Sequence, residues 1–303
     1  MSELARLLVA LGSWVGVVLI CAAISGRERT RRWTPLVASL ALAAPLALAP
    51  SWIVARGVAT MLGVVAFGRS LDLARRRGAL SFWGRAWLMI ALFDVRAVER
   101  TSPSFDGREA LRLAICVGLC AAGWIGVFEL APGHSGARAW ALRWGFGLVL
   151  VYTSFESVHS TLLFAYRGLG LRMPRINDDP VRSTTLAEFW GRRWNRVVSG
   201  WLRDYLFFPL ARRRRPKLGI LAAFAGSTVL HFWFAWVPLD LLGGAMMASF
   251  FLVHGAGLVL ERELGVARWR VGAQRAWLAA WFIVPVPLFV EPAMRLFAGF
   301  IRG

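Results

Sequence analysis

LGILAAFAGSTVLHFWFAWVPLDLLGGAMMASFFLVHGAGLVL, residues 218–260, is two apolar runs joined by a short turn at Pro238–Asp240. A helix crossing the ~30 Å hydrocarbon core of a bilayer needs about 20 residues, and the runs 218–237 and 242–260 each supply that length. Inside lipid every backbone N–H and C=O must be bonded within the chain, so such runs fold as helices. Each run carries one ionisable side chain, His231 in the first and His254 in the second. Ionisable groups at that depth face protein or a cavity and mark function by default.

Working outward, the same pattern recurs. Candidate spans lie at 6–24, 36–55, 57–74, 111–130, 141–165, 218–237, 242–260 and 276–297. The expectation is therefore an all-α, polytopic membrane protein of about eight spans forming one domain over 1–303. Composition agrees: 57% of the 303 residues are hydrophobic and 17% charged, against about 25% charge in soluble domains. Cys21, Cys116 and Cys120 lie in apolar stretches and show neither metal nor redox spacing. The run Leu8–Ile24 has little positive charge before it and an arginine cluster after it. That is the wrong polarity for a cleaved leader and suits a first span.

The formal charge is +19, and Lys217 is the sole lysine. The arginines sit in short clusters between apolar runs, not along one soluble surface, so nucleic acid is not the implied partner. The clusters Arg27–Arg32, Arg75–Arg85, Arg212–Lys217 and Arg262–Arg275 all fall on the cytoplasmic side if eight spans begin with an outside N-terminus. Residues 86–95 (AWLMIALFDV) are too short to cross. They read as an interfacial, re-entrant or buried helix.

The long polar segment 166–217 is cytoplasmic in this scheme. It opens with turn residues (Pro174, Asn177, Asp178, Asp179, Pro180). A helix is predicted from Thr185, where Glu188 three residues on completes a capping-box pattern. It reads TLAEFWGRRWNRVVSGWLRDYLFF, and Trp190, Trp194, Val197, Trp201 and Tyr205 recur at helical spacing. Such a helix can lie in the headgroup plane with arginines toward phosphates; a plain surface-lying helix fits the periodicity equally well.

His159 lies inside the fifth run near Glu156, and His134 in a short loop. His231 is ~20 Å from the cytoplasmic start of its run and His254 ~9 Å from the cytoplasmic end of its own, at 1.5 Å per residue. A histidine near pKa 6.5 can take and return a proton at neutral pH; a histidine bonding only a neighbouring helix is the alternative. No HExxH or HxxxH spacing, Gly-x-Ser-x-Gly elbow, Walker sequence or dinucleotide fingerprint is present. A metal site and an acyl-enzyme route thus have no positive support.

The stretch TTLAEFWGRRWNRVVSGWLRDYLFFPL, residues 184–210, resembles the signature of wax synthase-like members of the membrane-bound O-acyltransferase family. GSTVLHFWFAW and FFLVHGAGLVLE resemble the family's two histidine-bearing spans, and LFDVRAVE, residues 92–99, a further upstream segment. The resemblance implies helices around a central tunnel and transfer of an acyl group from acyl-CoA to a hydroxyl, such as that of a lipophilic alcohol, without a tightly bound cofactor or metal. It maps the family's paired asparagine and histidine onto Asn195 and His231, and its later histidine and acid onto His254 and Glu261. The acid next to the histidine in many members is Phe232 here. Arg192, Arg193, Arg196, Trp190 and Trp194 are then candidates for holding acyl-CoA, and His254, Glu261, His159 and Glu156 secondary polar positions in the tunnel. Localisation in a bacterial cytoplasmic membrane is the matching expectation. A lipid carrier using the same buried groups is the competing class, and a sterol, diacylglycerol, glycan or secondary metabolite the competing acceptors.

Overall fold

A computed structural model describes residues 2–75, 80–92 and 98–302. Helices dominate. α1 (Glu3–Ile24) leads into a 3-10 turn (Arg31–Trp33), α2 (Thr34–Ala38), α3 (Leu40–Ala43) and a second 3-10 turn (Ala44–Ala47). Next come α4 (Ile53–Arg75), α5 (Phe82–Ile90), β1 (Glu99–Arg100), α6 (Gly107–Ile125), α7 (Gly136–Gly168) and β2 (Leu171–Arg172). The signature region holds α8 (Leu186–Glu188), α9 (Arg196–Leu202) and α10 (Phe208–Ala211). α11 (Pro216–Trp236), α12 (Leu241–Glu263), α13 (Val271–Ile283) and α14 (Val286–Arg302) complete the chain.

Among the described residues six helical stretches are long and apolar enough to cross a membrane, or seven if α13 and α14, bent by 50° at Val284–Pro285, form one span. This corrects the expected eight. The run 36–55 is not a continuous helix but α2, α3 and a 3-10 turn, ending before Pro50. Pro45 within it lacks an N–H and crowds the preceding turn, so an unbroken helix is disfavoured there. The bend near Pro285 has the same cause. Large apolar side chains point outward along the spans, as at Leu8, Leu111, Ile115, Val229 and Leu252. Apolar faces of this extent are not left in water; they face lipid, and the chain is a multi-pass integral membrane protein. LFDVRAVE falls mostly at 93–97, outside the described residues, as do Arg76 and Arg77.

The chain divides into two compact units. The first comprises residues 1–92, 229–248 and 295–303. In it, α2 and α3 pack back along α4. At Gly63 a Cβ would stand 2.6 Å from the carbonyl oxygen of Ala41, so only glycine permits this approach. The short run that includes 86–90 is helix α5, packed on α1 and α4 with Ala86, Leu88 and Met89 buried and Trp83, Trp87 and Ile90 exposed. Its Arg85 Nε donates to the Ala22 carbonyl at the end of α1 (2.6 Å). Arg69, buried in α4, donates to Ala91 (3.0 Å) and pairs with Asp72 (3.2 Å).

The second unit comprises residues 93–228 and 249–294. Its frame is the antiparallel pair α6 and α7, in close contact where Gly123 meets the backbone of Leu150. Arg143 grips Glu291 with two bonds of 2.7 and 2.9 Å, and Trp144 Nε1 adds a third of 3.0 Å. The two-residue strands β1 and β2 pair antiparallel. The signature region, most of α11, the end of α12 and all of α13 belong to this unit.

Candidate active site

The signature segment starts as its sequence suggests and then departs from it. Thr185 Oγ1 accepts from the Glu188 N–H at 3.1 Å, the cap that the Thr–Glu spacing predicts. Glu188 returns its carboxylate to the N–H of Thr184 (2.9 Å), one residue before the position a capping box uses. α8 then passes into a π-helical turn at Phe189–Arg193, Trp194 is extended, and Asn195 is left-handed with φ +39°. The single helix expected over TLAEFWGRRWNRVVSGWLRDYLFF is thus broken at Asn195. Asparagine tolerates this conformation better than most residues. It also caps α9, its Oδ1 accepting from the Val198 N–H at 3.2 Å. A second π-helical turn lies at Arg203–Phe207. Such turns recur at functional sites.

The break is held by a strap upstream. Residues 176–178 bond to 193–196 along the backbone: Asp178 N–H to Arg193 (2.8 Å) and Arg196 N–H to Ile176 (2.8 Å). Between them the Asn195 N–H donates to the side-chain oxygen of Asn177 (2.8 Å). Asn177 is fully buried, and its Nδ2 donates to Glu156 on α7 at 2.5 Å. Glu156 also receives Arg175 Nη2 (2.9 Å), while Arg175 Nη1 reaches Glu109 on α6 (2.5 Å). His159, one turn along α7, accepts the Ile176 N–H on Nε2 (3.0 Å). Its proton is therefore on Nδ1, 4.0 Å from Glu156 Oε1. Glu156 and His159, expected among the secondary polar positions of a tunnel, here anchor the strap that fixes Asn195.

Glu261 has a comparable task. Buried near the end of α12, it accepts the N–H groups of Leu186 (2.7 Å) and Ala187 (2.9 Å). These are first-turn donors that α8 cannot satisfy itself. His254, two turns earlier, has no exposed surface. Its Nδ1 lies 2.9 Å from the carbonyl of Phe250, which can only accept, so Nδ1 carries the proton. The rings of Phe250, Phe282 and Trp190 surround it at centroid distances of 4.1, 5.0 and 5.3 Å. Trp194 stacks on Phe189 (5.7 Å) and lies near Tyr152 and Phe155 of α7.

Arg193 is committed to Glu188 (2.7 Å) and to the carbonyl of Asp178 (3.1 Å). Arg192 and Arg196 flank it and are exposed. Burial works against the Glu188 carboxylate, but the Thr184 N–H and Arg193 outweigh it and hold its pKa below the ordinary value. Asp179, left-handed at φ +44°, is held low chiefly by its 3.0 Å bond to Arg112. Among the described residues no three His, Cys, Asp or Glu side chains converge as a metal set. An open cleft of about 390 Å³ in the same unit, lined by His134, Trp140, Arg143 and Glu291 among others, contains none of the signature residues.

The second unit therefore gathers Asn195, Trp190, Trp194, Arg192, Arg193, Arg196, Glu156, His159, His254 and Glu261. His231, on α11, falls in the first unit, and its pairing with Asn195 rests on the resemblance. Arg175 and Asn177 escaped the sequence reading, where Asn177 counted only as a turn residue.

Comparison with known proteins matches residues 173–253 to the membrane bound O-acyl transferase family. This stretch takes in the strap, the broken signature helix, His231 and the first half of α12, ending one residue before His254. A probable long-chain-alcohol O-fatty-acyltransferase of Arabidopsis thaliana is 29% identical over 145 residues, covering 43% of this chain and 42% of the relative. The long-chain-alcohol O-fatty-acyltransferase of Simmondsia chinensis is 31% identical over 111 residues, 34% of this chain and 31% of its own length. A probable alginate O-acetylase of Pseudomonas aeruginosa is 32% identical over 135 residues, 42% of this chain and 24% of the relative. The matches thus span less than half the length of these relatives. The central segment is thus similar to membrane bound O-acyl transferases, and the relatives it matches include long-chain-alcohol O-fatty-acyltransferases.

Proposed function

We propose that the protein transfers a fatty acyl group from acyl-CoA directly to the hydroxyl of a lipophilic alcohol, as a wax ester synthase does. The break at Asn195 carries this reading. The family's signature asparagine is held left-handed by a buried anchor, and its side-chain oxygen is spent on a helix cap. That leaves the neutral Nδ2 amide as a donor toward substrate, suited to negative charge developing on a thioester oxygen. His231 takes the proton of the acceptor hydroxyl as its oxygen attacks the thioester carbonyl. The tetrahedral adduct expels CoA thiolate, which recovers that proton from the imidazolium, giving ester and free CoA. General base catalysis of this kind is worth about 10²–10⁴ in rate.

The exposed Arg192 and Arg196 supply charge-assisted hydrogen bonds to the phosphates of CoA. Arg193 supports them by fixing the π-helical turn through Glu188. In this account 166–217 faces the cytoplasm, where acyl-CoA is found, and the membrane is a bacterial cytoplasmic one. With 36–55 no longer a span, the clusters Arg75–Arg85, Arg212–Lys217 and Arg262–Arg275 share the side of 166–217 and support that orientation, while Arg27–Arg32 falls on the other side.

Feeding acyl-CoA with a long-chain alcohol to membranes from an expressing host, and resolving the lipid products, tests the reading. Wax ester is expected in those membranes and not in membranes of the untransformed host. No new ester with any alcohol would reject the activity. The likeness to an alginate O-acetylase supports a second reading with a glycan acceptor. Acylated polysaccharide in place of wax ester would establish it.

A further inference from the structure

His254 Nε2 and Trp190 Nε1 are among the buried polar atoms that lack a partner. Their rings are edge to face at a centroid distance of 5.3 Å. Phe282 packs against both, at 5.0 Å from His254 and 6.1 Å from Trp190, and Phe250 lies against His254 at 4.1 Å. Phe224 and Phe251 close on Trp190 at 6.0 and 5.7 Å. An aromatic box of this kind offers neither atom a protein partner, and leaving a polar group unbonded in such a place is costly.

The two atoms are of opposite kind. Trp190 Nε1–H can only donate. His254 has its proton on Nδ1, bonded to the Phe250 carbonyl at 2.9 Å, so Nε2 presents a lone pair and accepts. One hydroxyl satisfies both, its hydrogen on Nε2 and its oxygen taking the indole N–H. A thioester carbonyl satisfies only the indole, and a hydrocarbon chain neither. The box is also coupled to the signature break. Phe189 packs on Phe282 at 4.6 Å and on Trp194 at 5.7 Å, and Trp194 is the neighbour of Asn195.

We infer that Trp190 and His254 form the subsite for the hydroxyl of an aliphatic alcohol, the acceptor substrate. The inference rests on the acyltransferase reading for its biological meaning, and its binding test stands apart from catalysis. Purified full-length protein in detergent is heated with 1-decanol or with n-decane, and the unfolding temperature is read. Decanol raises it in the wild type and decane does not; Trp190→Phe and His254→Phe, which keep the box aromatic, lose the decanol response. If His254→Phe fails to fold, Trp190→Phe alone decides. An equal shift with decane, or an undiminished decanol shift in Trp190→Phe, overturns the subsite. In transfer assays the same variants raise the alcohol KM about tenfold, the loss of one buried hydrogen bond, with the acyl-CoA KM unchanged; an unchanged alcohol KM in both also overturns it. A wild type that binds decanol yet acylates nothing would sink the enzymatic reading and leave the subsite standing.

Discussion

Replacing Asn177 with alanine removes the link between α7 and the signature break. Two bonds go: the 2.5 Å bond to Glu156 and the 2.8 Å bond from the Asn195 N–H. Hydrogen bonds to charged groups are worth about 1.5–3 kcal/mol, and an orphaned buried donor costs about 1–3 kcal/mol. Glu156 keeps Arg175 at 2.9 Å, so its carboxylate is not left bare. The sum is roughly 3–5 kcal/mol of destabilisation, a large effect for one side chain. Asn195 also loses the bond that fixes its left-handed backbone, and a misplacement of ~1 Å can cost about 10²-fold in turnover. Thermal unfolding in detergent and acyl transfer at saturating substrates measure the two effects. Asn177→Asp sharpens the test. It keeps an acceptor for Asn195 but sets a second carboxylate against Glu156, so it behaves like the alanine variant at neutral pH and recovers in part when acid lets the pair share a proton. An alanine variant with an unfolding temperature within ~1 °C of wild type and turnover within about twofold would refute the strap as the anchor of the site.

Other contacts make their own demands. Glu261→Ala strips the acceptor from the Leu186 and Ala187 N–H groups and should destabilise by about 2–4 kcal/mol, with Glu261→Gln recovering part of the loss in the same unfolding assay. Glu188 and Asp179 have carboxyls held below their ordinary values of 4.5 and 3.8. The stability they contribute is therefore full above those values and lost as pH falls through the lower folded ones. The unfolding temperature should be level near neutral pH and decline below about pH 4.5, more weakly in Glu188→Gln. Arg192→Ala with Arg196→Ala should raise the acyl-CoA KM by about tenfold, an effect that shrinks at high salt, with the alcohol KM unmoved.

The lipid-crossing helices were legible because run length and hydropathy decide them locally. The run 36–55 misled because it has the right composition, while prolines near its end, not polarity, deny it a continuous helix. The aromatic spacing from Trp190 to Tyr205 is helical on both sides of Asn195, so periodicity passes through the break unaltered. What breaks it is a bond to Asn177, 18 residues earlier in the chain. The same holds for Glu261, whose partner Leu186 lies 75 residues away. Buried charge marks such residues as important, but only the fold distinguishes a residue that holds the site from one that faces substrate.

The most direct measurement is the stoichiometry of CoA thiol and ester released by purified protein from acyl-CoA and a long-chain alcohol, compared with His231→Ala and Asn195→Ala at equal folded concentration. One thiol per ester is expected, with turnover reduced by about 10²-fold or more without His231 and sharply without Asn195. Thiol release that never accompanies ester, or a His231→Ala protein turning over within about twofold of wild type, would contradict direct transfer on an imidazole base.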